Sequence, residues 1–198
     1  EIAYTLSYGN DPSNLFDQGI SNQNQVLNNE DQALAFNSGQ YLRISGSESL
    51  SGFDQFTVEG WYYEISKNGE EHIVGSEFFG GVGWNISSGP GWMYKITGYD
   101  ESGEPYGIGY NHHNNSIESL ITNQWHHFAL TYDGSVVKFF LNGISVHEEA
   151  IEMQSIGLIS EDICINRHTW ANGNSASSRL NGYLDELRIS NIARYTSN

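Results

Sequence analysis

Hydrophobic and polar residues alternate most clearly in the second half of the chain. Aromatic and aliphatic residues dominate 125–132, give way to Asp133-Gly134, resume over 137–141 and stop again at Asn142-Gly143. Alternation with a period of two is typical of β-strands, and Asp-Gly and Asn-Gly are favoured in tight hairpin turns. The pattern predicts a hairpin followed by the start of a third strand.

Similar apolar runs recur along the rest of the chain, separated by turn residues at intervals of about ten residues, which is typical of a β-sandwich. Helix-period apolar runs are absent from the sequence. A further hairpin is predicted from 33–36 and 41–44, and 1–32 predicts an irregular lead-in. The remaining strands are predicted near 56–65, 71–78, 82–87, 92–99, 106–112, 125–132, 136–141, 144–150, 162–168 and 180–190.

Three strings of the sequence carry a family pattern. They are Phe-Thr-Val-Glu-Gly-Trp at 56–61, Trp-His-His-Phe at 125–128 with Leu-Asn-Gly at 141–143, and Gly-Tyr-Leu-Asp-Glu-Leu-Arg-Ile at 182–189. These strings resemble the laminin-G-like, concanavalin A-like family found in bacterial surface adhesins and carbohydrate-active proteins. The resemblance implies an all-β fold, an antiparallel β-sandwich of the jelly-roll type, as one domain over 1–198. Because the chain opens at Glu1 without Met or a signal peptide, we expect a domain of a longer extracellular protein.

Charge narrows the class of partner. The chain has 198 residues, enough for one large all-β domain, and its 24 acidic and 8 basic residues give a formal charge of −16. Such a chain repels nucleic acids and anionic membrane surfaces, so cations and uncharged ligands are the expected partners. The alternative is that the acidity only maintains solubility. No apolar stretch is long enough to span a bilayer.

The sequence lacks the carboxylate pattern of a glycosidase. Glucanases of the resembled family carry Glu-x-Asp-x-x-Glu on one strand, and retaining hydrolysis requires two carboxyls about 5 Å apart on one face. Glu59 and Glu64 are five positions apart, Asp185 and Glu186 are adjacent, and Glu71 is predicted to be solvated. No Gly-x-Ser-x-Gly nucleophile motif is present. We therefore predict no catalysis, the alternative being a hydrolase or lyase whose carboxylates come from separate strands.

Several residues with reactive or aromatic side chains are predicted to be structural. The lone Cys164 lies between two isoleucines and should pack as a small hydrophobe. Trp84 and Trp92, both flanked by glycine-rich turns, are assigned to the core. His126 and His127 are neighbours on a strand and point to opposite faces, so one should be packed and the other exposed.

Two predicted loops, at 110–115 and 166–174, combine aromatic or imidazole rings with amide side chains. A sugar offers an apolar ring face for stacking and hydroxyls that amides and imidazoles can bind. Strand phasing after 163–165 predicts that Asn166 and His168 face outward. We predict that the loops bind a glycan, the alternative being that these residues serve only as turn formers. The predicted ligand-binding residues are His112, His113, Asn114, Asn115, His168, Trp170 and Asn172.

The family resemblance also implies a structural Ca²⁺. In related domains the Asp of the closing strand binds calcium with carbonyl oxygens of the N-terminal strand and of an early hairpin turn. Asp185 occupies that motif position, and the matching places are Asp17 and the turn at Gly39, with Asp11 as an equal alternative to Asp17. Calcium takes six to eight oxygens from mixed sources. The alternative is that Asp185 only caps the backbone or faces solvent.

Together these features predict a calcium-dependent, lectin-like module. We expect it at the cell surface, as a monomeric unit of a larger chain that binds a glycan or polysaccharide in adhesion or biofilm formation, with glucose-rich polymers among the candidates. Neither nucleic acid binding nor membrane insertion is expected. The alternatives are a glycoside hydrolase or polysaccharide lyase of the same fold, and a structural or protein-binding adhesin domain.

Overall fold

The computed structural model describes residues 3–5, 33–36, 41–44, 53–66, 71–76, 83–88, 92–99, 102, 105–111, 121–151, 163–166 and 180–196. These residues contain 13 strands in two antiparallel sheets. This is the predicted all-β sandwich. None of the described segments is a helix of the length and apolar character needed to cross a membrane.

The two sheets contain different numbers of strands. Sheet A has seven strands, in the order β1-β13-β4-β9-β10-β11 with β2 also paired to β13, and sheet B has six, in the order β3-β12-β5-β6-β7-β8. The strands are β1 Ala3–Thr5, β2 Leu34–Phe36, β3 Leu42–Ile44, β4 Phe56–Glu64, β5 Glu71–Gly75, β6 Gly83–Ser88, β7 Met93–Tyr99, β8 Pro105–Asn111, β9 Trp125–Tyr132, β10 Val136–Leu141, β11 Ile144–Ala150, β12 Ile163–Ile165 and β13 Gly182–Ser190.

The core lies between the sheets and is rich in aromatic residues. Trp84 and Trp92 are both buried, which confirms their assignment to the core, and Cys164 is buried as predicted. The ring of Trp92, from sheet B, lies 5.3 Å from that of Tyr62 and 5.4 Å from that of Phe128, both in sheet A. Full burial of a large apolar side chain stabilises the folded state by roughly 1.5–3 kcal/mol, so these contacts hold the two sheets together.

The two turns predicted around β10 are confirmed. Gly134 has a φ of 99°, and Asp133 Oδ1 accepts a hydrogen bond of 2.8 Å from the N–H of Val136. Asn142 and Gly143 have φ values of 50° and 81°, the left-handed conformation that an Asn-Gly hairpin requires. Strands β9, β10 and β11 therefore form a continuous antiparallel meander.

The hairpin predicted from 33–36 and 41–44 is wrong. Strand β2 pairs with β13 in sheet A, whereas β3 pairs with β12 in sheet B. The chain crosses between the sheets, and Phe36 and Leu42 enter the core from opposite sides. Alternation along the sequence shows which residues face inward, but it carries no information on the sheet that each strand joins.

The outward orientation predicted for Asn166 is also wrong. Asn166 is buried and has a φ of 60°, so β12 ends at Ile165 instead of continuing to 168. Its side chain accepts a hydrogen bond from the N–H of Leu180 and donates one to the Leu180 carbonyl, and its own N–H donates to Ile73 O at 2.9 Å. Asn166 thus joins the end of β12 to the approach to β13, and a buried amide must be satisfied in this way.

Candidate functional site

Most of the residues predicted to form the ligand and calcium sites lie outside the described residues, so their roles stay predictions. They are His112, His113, Asn114, Asn115, His168, Trp170, Asn172, Asp17 and Gly39. Asp185 is the one predicted site residue that the structure describes.

The strands that lead into the two ring-and-amide loops end at the same end of sheet B. Strands β12 and β8 run in the same direction, because β5, β6 and β7 lie between them and every neighbouring pair is antiparallel. The chain therefore leaves β8 after Asn111 and β12 after Ile165 at the same end of sheet B. Four strand spacings separate the two exits by about 19 Å.

A buried polar cluster, here called the inter-sheet cluster, lies at this end of the sandwich. The hydroxyl of Tyr62, in sheet A, donates to Glu71 Oε2 at 3.1 Å and lies 2.8 Å from Ser88 Oγ, both in sheet B. Beside it, Ser87 Oγ lies 3.3 Å from His72 Nδ1. The prediction that Glu71 is solvated is wrong, since the residue is fully buried.

Burial dominates the electrostatics of the inter-sheet cluster. Desolvation raises the pKa of Tyr62 well above its ordinary value, and the negative charges of Glu71 and Glu64 raise it further. Tyr62 is therefore a neutral hydrogen-bond donor, not a base, throughout the physiological range. The cluster fixes the relative position of the two sheets at the end where the chain leaves β8 and β12.

Asp185 lies in an irregular part of the closing strand. The pairing of β13 with β4 shifts between Asp185 and Arg188, which is a β-bulge, and Glu186 has a φ of 48°. Asp185 Oδ1 accepts a hydrogen bond of 2.8 Å from the N–H of Glu186. Gly60 of β4 makes room for the bulge, because a Cβ there would lie 3.3 Å from both Asp185 O and the Leu187 Cα.

The bulge coincides with a gap in the outer edge of sheet A. Strand β2 pairs with 182–184 and β1 with 188–190, so no described strand pairs with 185–187 along this edge. A half-buried carboxylate beside such an edge fits one corner of a calcium site, because calcium accepts carboxylate and carbonyl oxygens together. Within the described ranges, however, no group of three or more His, Cys, Asp or Glu residues could hold a metal ion.

The outer face of sheet A presents aromatic rings in register across three strands. Tyr183, Tyr63 and Trp125 are directly paired across β13, β4 and β9, and two positions along Trp61 is paired with His127. Tyr63 packs edge-on against Trp125 at 5.4 Å and against Tyr183 at 5.6 Å, and Trp61 packs against His127 at 5.2 Å. Trp61 is 38% exposed and Trp125 is 40% exposed.

The C-terminal segment covers the adjoining part of this face. Thr57 Oγ1 donates to Ile192 O at 2.8 Å, Thr131 Oγ1 donates to Tyr195 O at 3.2 Å, and Lys138 Nζ donates to Thr196 O at 3.0 Å. The segment 191–196 thus crosses β4, β9 and β10, and it leaves the aromatic positions uncovered.

Glu59 lies under this segment and anchors it. Its Oε2 accepts a hydrogen bond from the Tyr195 hydroxyl, and Arg194 Nε lies 3.0 Å from Oε1, in ionic contact but off the direction of a hydrogen bond. Burial alone would raise the pKa of the Glu59 carboxyl, but His127, Tyr195 and Arg194 together lower it. At 3.7 Å the His127 contact is too long for a strong hydrogen bond, so we assign most of this effect to Tyr195 and Arg194.

The histidine pair follows the predicted alternation only in part. His126 is buried, with Nε2 at 3.0 Å from Ile121 O, whereas His127 is half-buried because Trp61 and Tyr195 flank its ring. The sequence alone did not predict this group of aromatic residues on the outer face, because its members come from β4, β9 and β13. Alternation within each strand places them on one face, but only the order of the strands shows that they adjoin.

Several solved binding domains have a fold similar to that of this chain. Domain 4 of an extracellular arabinanase from Geobacillus stearothermophilus, solved in complex with arabinotriose, aligns with a TM-score of 0.58 and 18% identity over 84% of this chain and 73% of that chain. The botulinum neurotoxin serotype G binding domain aligns with a TM-score of 0.56 and 16% identity over 81% of this chain. The binding domain of Paraclostridial Mosquitocidal Protein 1 aligns with a TM-score of 0.55 and 19% identity over 86% of this chain.

The match to the two toxin domains is partial, since the chain spans 39% and 44% of their lengths. No curated protein matches the sequence of this chain. The sequence profile of the concanavalin A-like lectin/glucanases superfamily, in its laminin G form, matches residues 36–197. This match covers most of the chain and agrees with the two antiparallel sheets, so the chain belongs to the concanavalin A-like lectin/glucanases superfamily.

Proposed function

We propose that this protein is a carbohydrate-binding module that holds a glycan between the loops following β8 and β12. The proposal rests on the observation that β8 and β12 end at the same end of sheet B. Two segments rich in aromatic, imidazole and amide side chains therefore begin at that end. Loops at the end of a sandwich commonly carry binding residues on a rigid scaffold. The similar arabinanase domain solved with arabinotriose supports a glycan as the class of ligand.

Calcium dependence and an extracellular, adhesive role are further parts of the proposal. Support for calcium comes from Asp185, which lies beside a gap in the edge of sheet A, and from the formal charge of −16, which attracts cations. The same charge favours a neutral polysaccharide over a polyanion. A module of this kind would attach a surface protein to glucans, arabinans or related polymers.

A glycan array tests the binding function. The wild-type protein should bind at least one neutral glycan, and chelation of calcium should weaken that binding. Trp170→Ala should reduce affinity about thirtyfold, because loss of an aromatic anchor costs about 2 kcal/mol. Ile144→Ala, at a 67% exposed position on β11, is the matched control and should bind like wild type.

Two results would contradict the proposal. An array without a hit would favour a structural or protein-binding domain. Wild-type affinity in both Trp170→Ala and His113→Ala, with the fold intact, would place the glycan elsewhere. Trp84 and Trp92 cannot contact that glycan, because both side chains are buried in the core.

We also propose that the protein binds glycans without cleaving them. On β4, Glu59 faces the C-terminal segment, whereas Glu64 is buried on the core side, so the two carboxylates do not face one ligand. Incubation with β-glucan, α-glucan or arabinan should release no reducing ends above a buffer control. Turnover that disappears in Glu71→Gln would instead support a hydrolase that uses carboxylates of separate strands.

A further inference from the structure

The outer face of sheet A has the features of a second ligand surface. We propose that the aromatic surface formed by Trp61, Tyr63, Trp125 and Tyr183 binds one or two uncharged sugar rings by stacking. It is distinct from the loops of sheet B, because these side chains project from the opposite side of sheet A from the core. The proposal shares with the proposed function only the class of ligand.

Packing fixes the rings before a ligand arrives. Tyr63, Trp125 and Tyr183 form a triangle of ring contacts: Tyr63 meets Trp125 at an interplanar angle of 61° and Tyr183 at 65°, and the rings of Trp125 and Tyr183 lie 6.4 Å apart. Trp61 packs edge-on against His127 at 62°. All of these residues belong to hydrogen-bonded strands in the interior of sheet A. Binding would therefore order few side chains, which lowers its entropic cost.

The exposed area matches a small ligand better than a protein. Aromatic side chains bury about 150–250 Å² when fully packed, so two tryptophans that are 38% and 40% exposed offer about 150–200 Å². The half-buried Tyr63 and Tyr183 raise this to about 300 Å². A stable protein complex buries about 800 Å² on each partner. The aromatic surface is too small for that purpose but is similar in size to the faces of one or two sugar rings.

The surroundings of the aromatic surface favour a neutral, hydroxyl-bearing ligand. Its four rings carry no charge, and Asp185, directly paired with Trp61 across β13 and β4, adds a carboxylate that can accept hydrogen bonds from hydroxyls. The formal charge of −16 disfavours anionic sugars. The C-terminal segment bounds the surface on one side, where Tyr195 packs against His127 and Phe140.

Titration calorimetry with neutral oligosaccharides tests the proposal. The probes are arabinotriose, cellopentaose, maltopentaose and laminaripentaose, each with calcium and with chelator. Trp125→Ala and Trp61→Ala should each weaken one binding event about tenfold, equal to about 1.4 kcal/mol, and Trp125→Phe should retain most of the affinity. Ile144→Ala is the control for a lost exposed apolar side chain. Trp170→Ala should leave this event unchanged.

The outcomes separate this proposal from the proposed function. Unchanged binding in both Trp125→Ala and Trp61→Ala, with binding lost in Trp170→Ala, would overturn the aromatic surface and leave the loop site standing. Absence of binding to every probe would overturn both. A wild-type dimer that Trp125→Ala converts to a monomer in sedimentation would show a self-association contact instead. If Trp125→Ala does not fold, Trp61→Ala and Trp125→Phe decide the question.

Discussion

Glu59 is a nearly buried carboxylate whose neighbours favour its charged form. Tyr195 donates a hydrogen bond to it, and Arg194 lies in ionic contact. Both neighbours belong to the C-terminal segment, so the ionisation of one side chain of β4 is linked to the attachment of that segment. The pKa of the carboxyl is lower in the folded protein than its ordinary value of 4.5. Because the charged form is stabilised, Glu59 contributes stability above pH 4.5 and loses this contribution as the pH falls through the lower folded value.

Glu59→Gln should therefore destabilise the protein at pH 7 by about 1.5–3 kcal/mol, the range for hydrogen bonds to charged groups. The difference from wild type should shrink as the pH falls through the lower folded pKa of Glu59, because the wild-type carboxyl is then protonated as well. Denaturant unfolding at pH 7 and pH 3 measures both values.

Glu148→Gln is the matched control. Glu148 pairs with Lys138 at 3.0 Å, but its side chain is 56% exposed, so the loss should stay below about 1 kcal/mol at either pH. Equal effects of the two substitutions at pH 7 would show that Glu59 contributes no more than a surface ion pair.

Strands β5 and β6 leave no room for a side chain at Gly75 of β5. A Cβ at this position would lie 2.7 Å from Asn85 Cβ and 2.8 Å from Trp84 O. Real Cβ atoms do not make such short contacts, and the Trp84 carbonyl belongs to the backbone of the neighbouring strand. This position requires glycine because of crowding, not because of its backbone angles.

Gly75→Ala should destabilise the protein by about 3 kcal/mol, since overpacking forces β5 and β6 apart. Gly143→Ala is the comparison: this glycine has a φ of 81° but nothing within 4 Å of the added Cβ, so only backbone strain of about 1 kcal/mol is expected. Thermal and denaturant unfolding of both variants tests the order. A smaller loss in Gly75→Ala than in Gly143→Ala would mean that β6 can move aside.

The sequence predicted those elements whose signals are local. The hairpin of β9 and β10 followed from alternation and Asp133-Gly134, and both were found as expected. The pairing of β2 and β3 was not predictable in this way, because the partners of both strands lie more than a hundred positions away. The burial of Glu71 depends on Tyr62 of the opposite sheet. For the same reason the aromatic surface became visible only once the order of β13, β4 and β9 was known.

At the scale of the whole molecule, the proposed calcium would join the closing strand to the N-terminal part of the chain. Asp185 lies between the segments of β13 that pair with β1 and with β2, so an ion there would bridge elements at opposite ends of the sequence. A ligand that binds only the folded state stabilises it by mass action.

Calcium at a hundredfold excess over its dissociation constant should therefore add about 2.7 kcal/mol of stability. Asp185→Ala should abolish this increment, measured as the difference between unfolding in calcium and in chelator. Glu186→Gln, which alters the adjacent exposed carboxylate, should keep it. Because Asp185 also accepts a hydrogen bond from the N–H of Glu186, some loss in chelator is expected as well. An increment that survives in Asp185→Ala would rule out this residue as a ligand.

The C-terminal segment has a mechanical consequence. It crosses β4, β9 and β10 through separate contacts at Thr57, Glu59, Thr131 and Lys138 instead of pairing along one strand. A pulling force applied at its end would load these contacts one after another. The hydrogen bonds of Thr57 and Thr131 are each worth about 1 kcal/mol, and those to the charged Glu59 about 1.5–3 kcal/mol. The segment would peel away at low force while the strand ladders of the sandwich stay closed. Tension would then expose the Glu59 carboxylate to water and enlarge the open area beside Trp61, so the molecule could yield in a graded way before it unfolds.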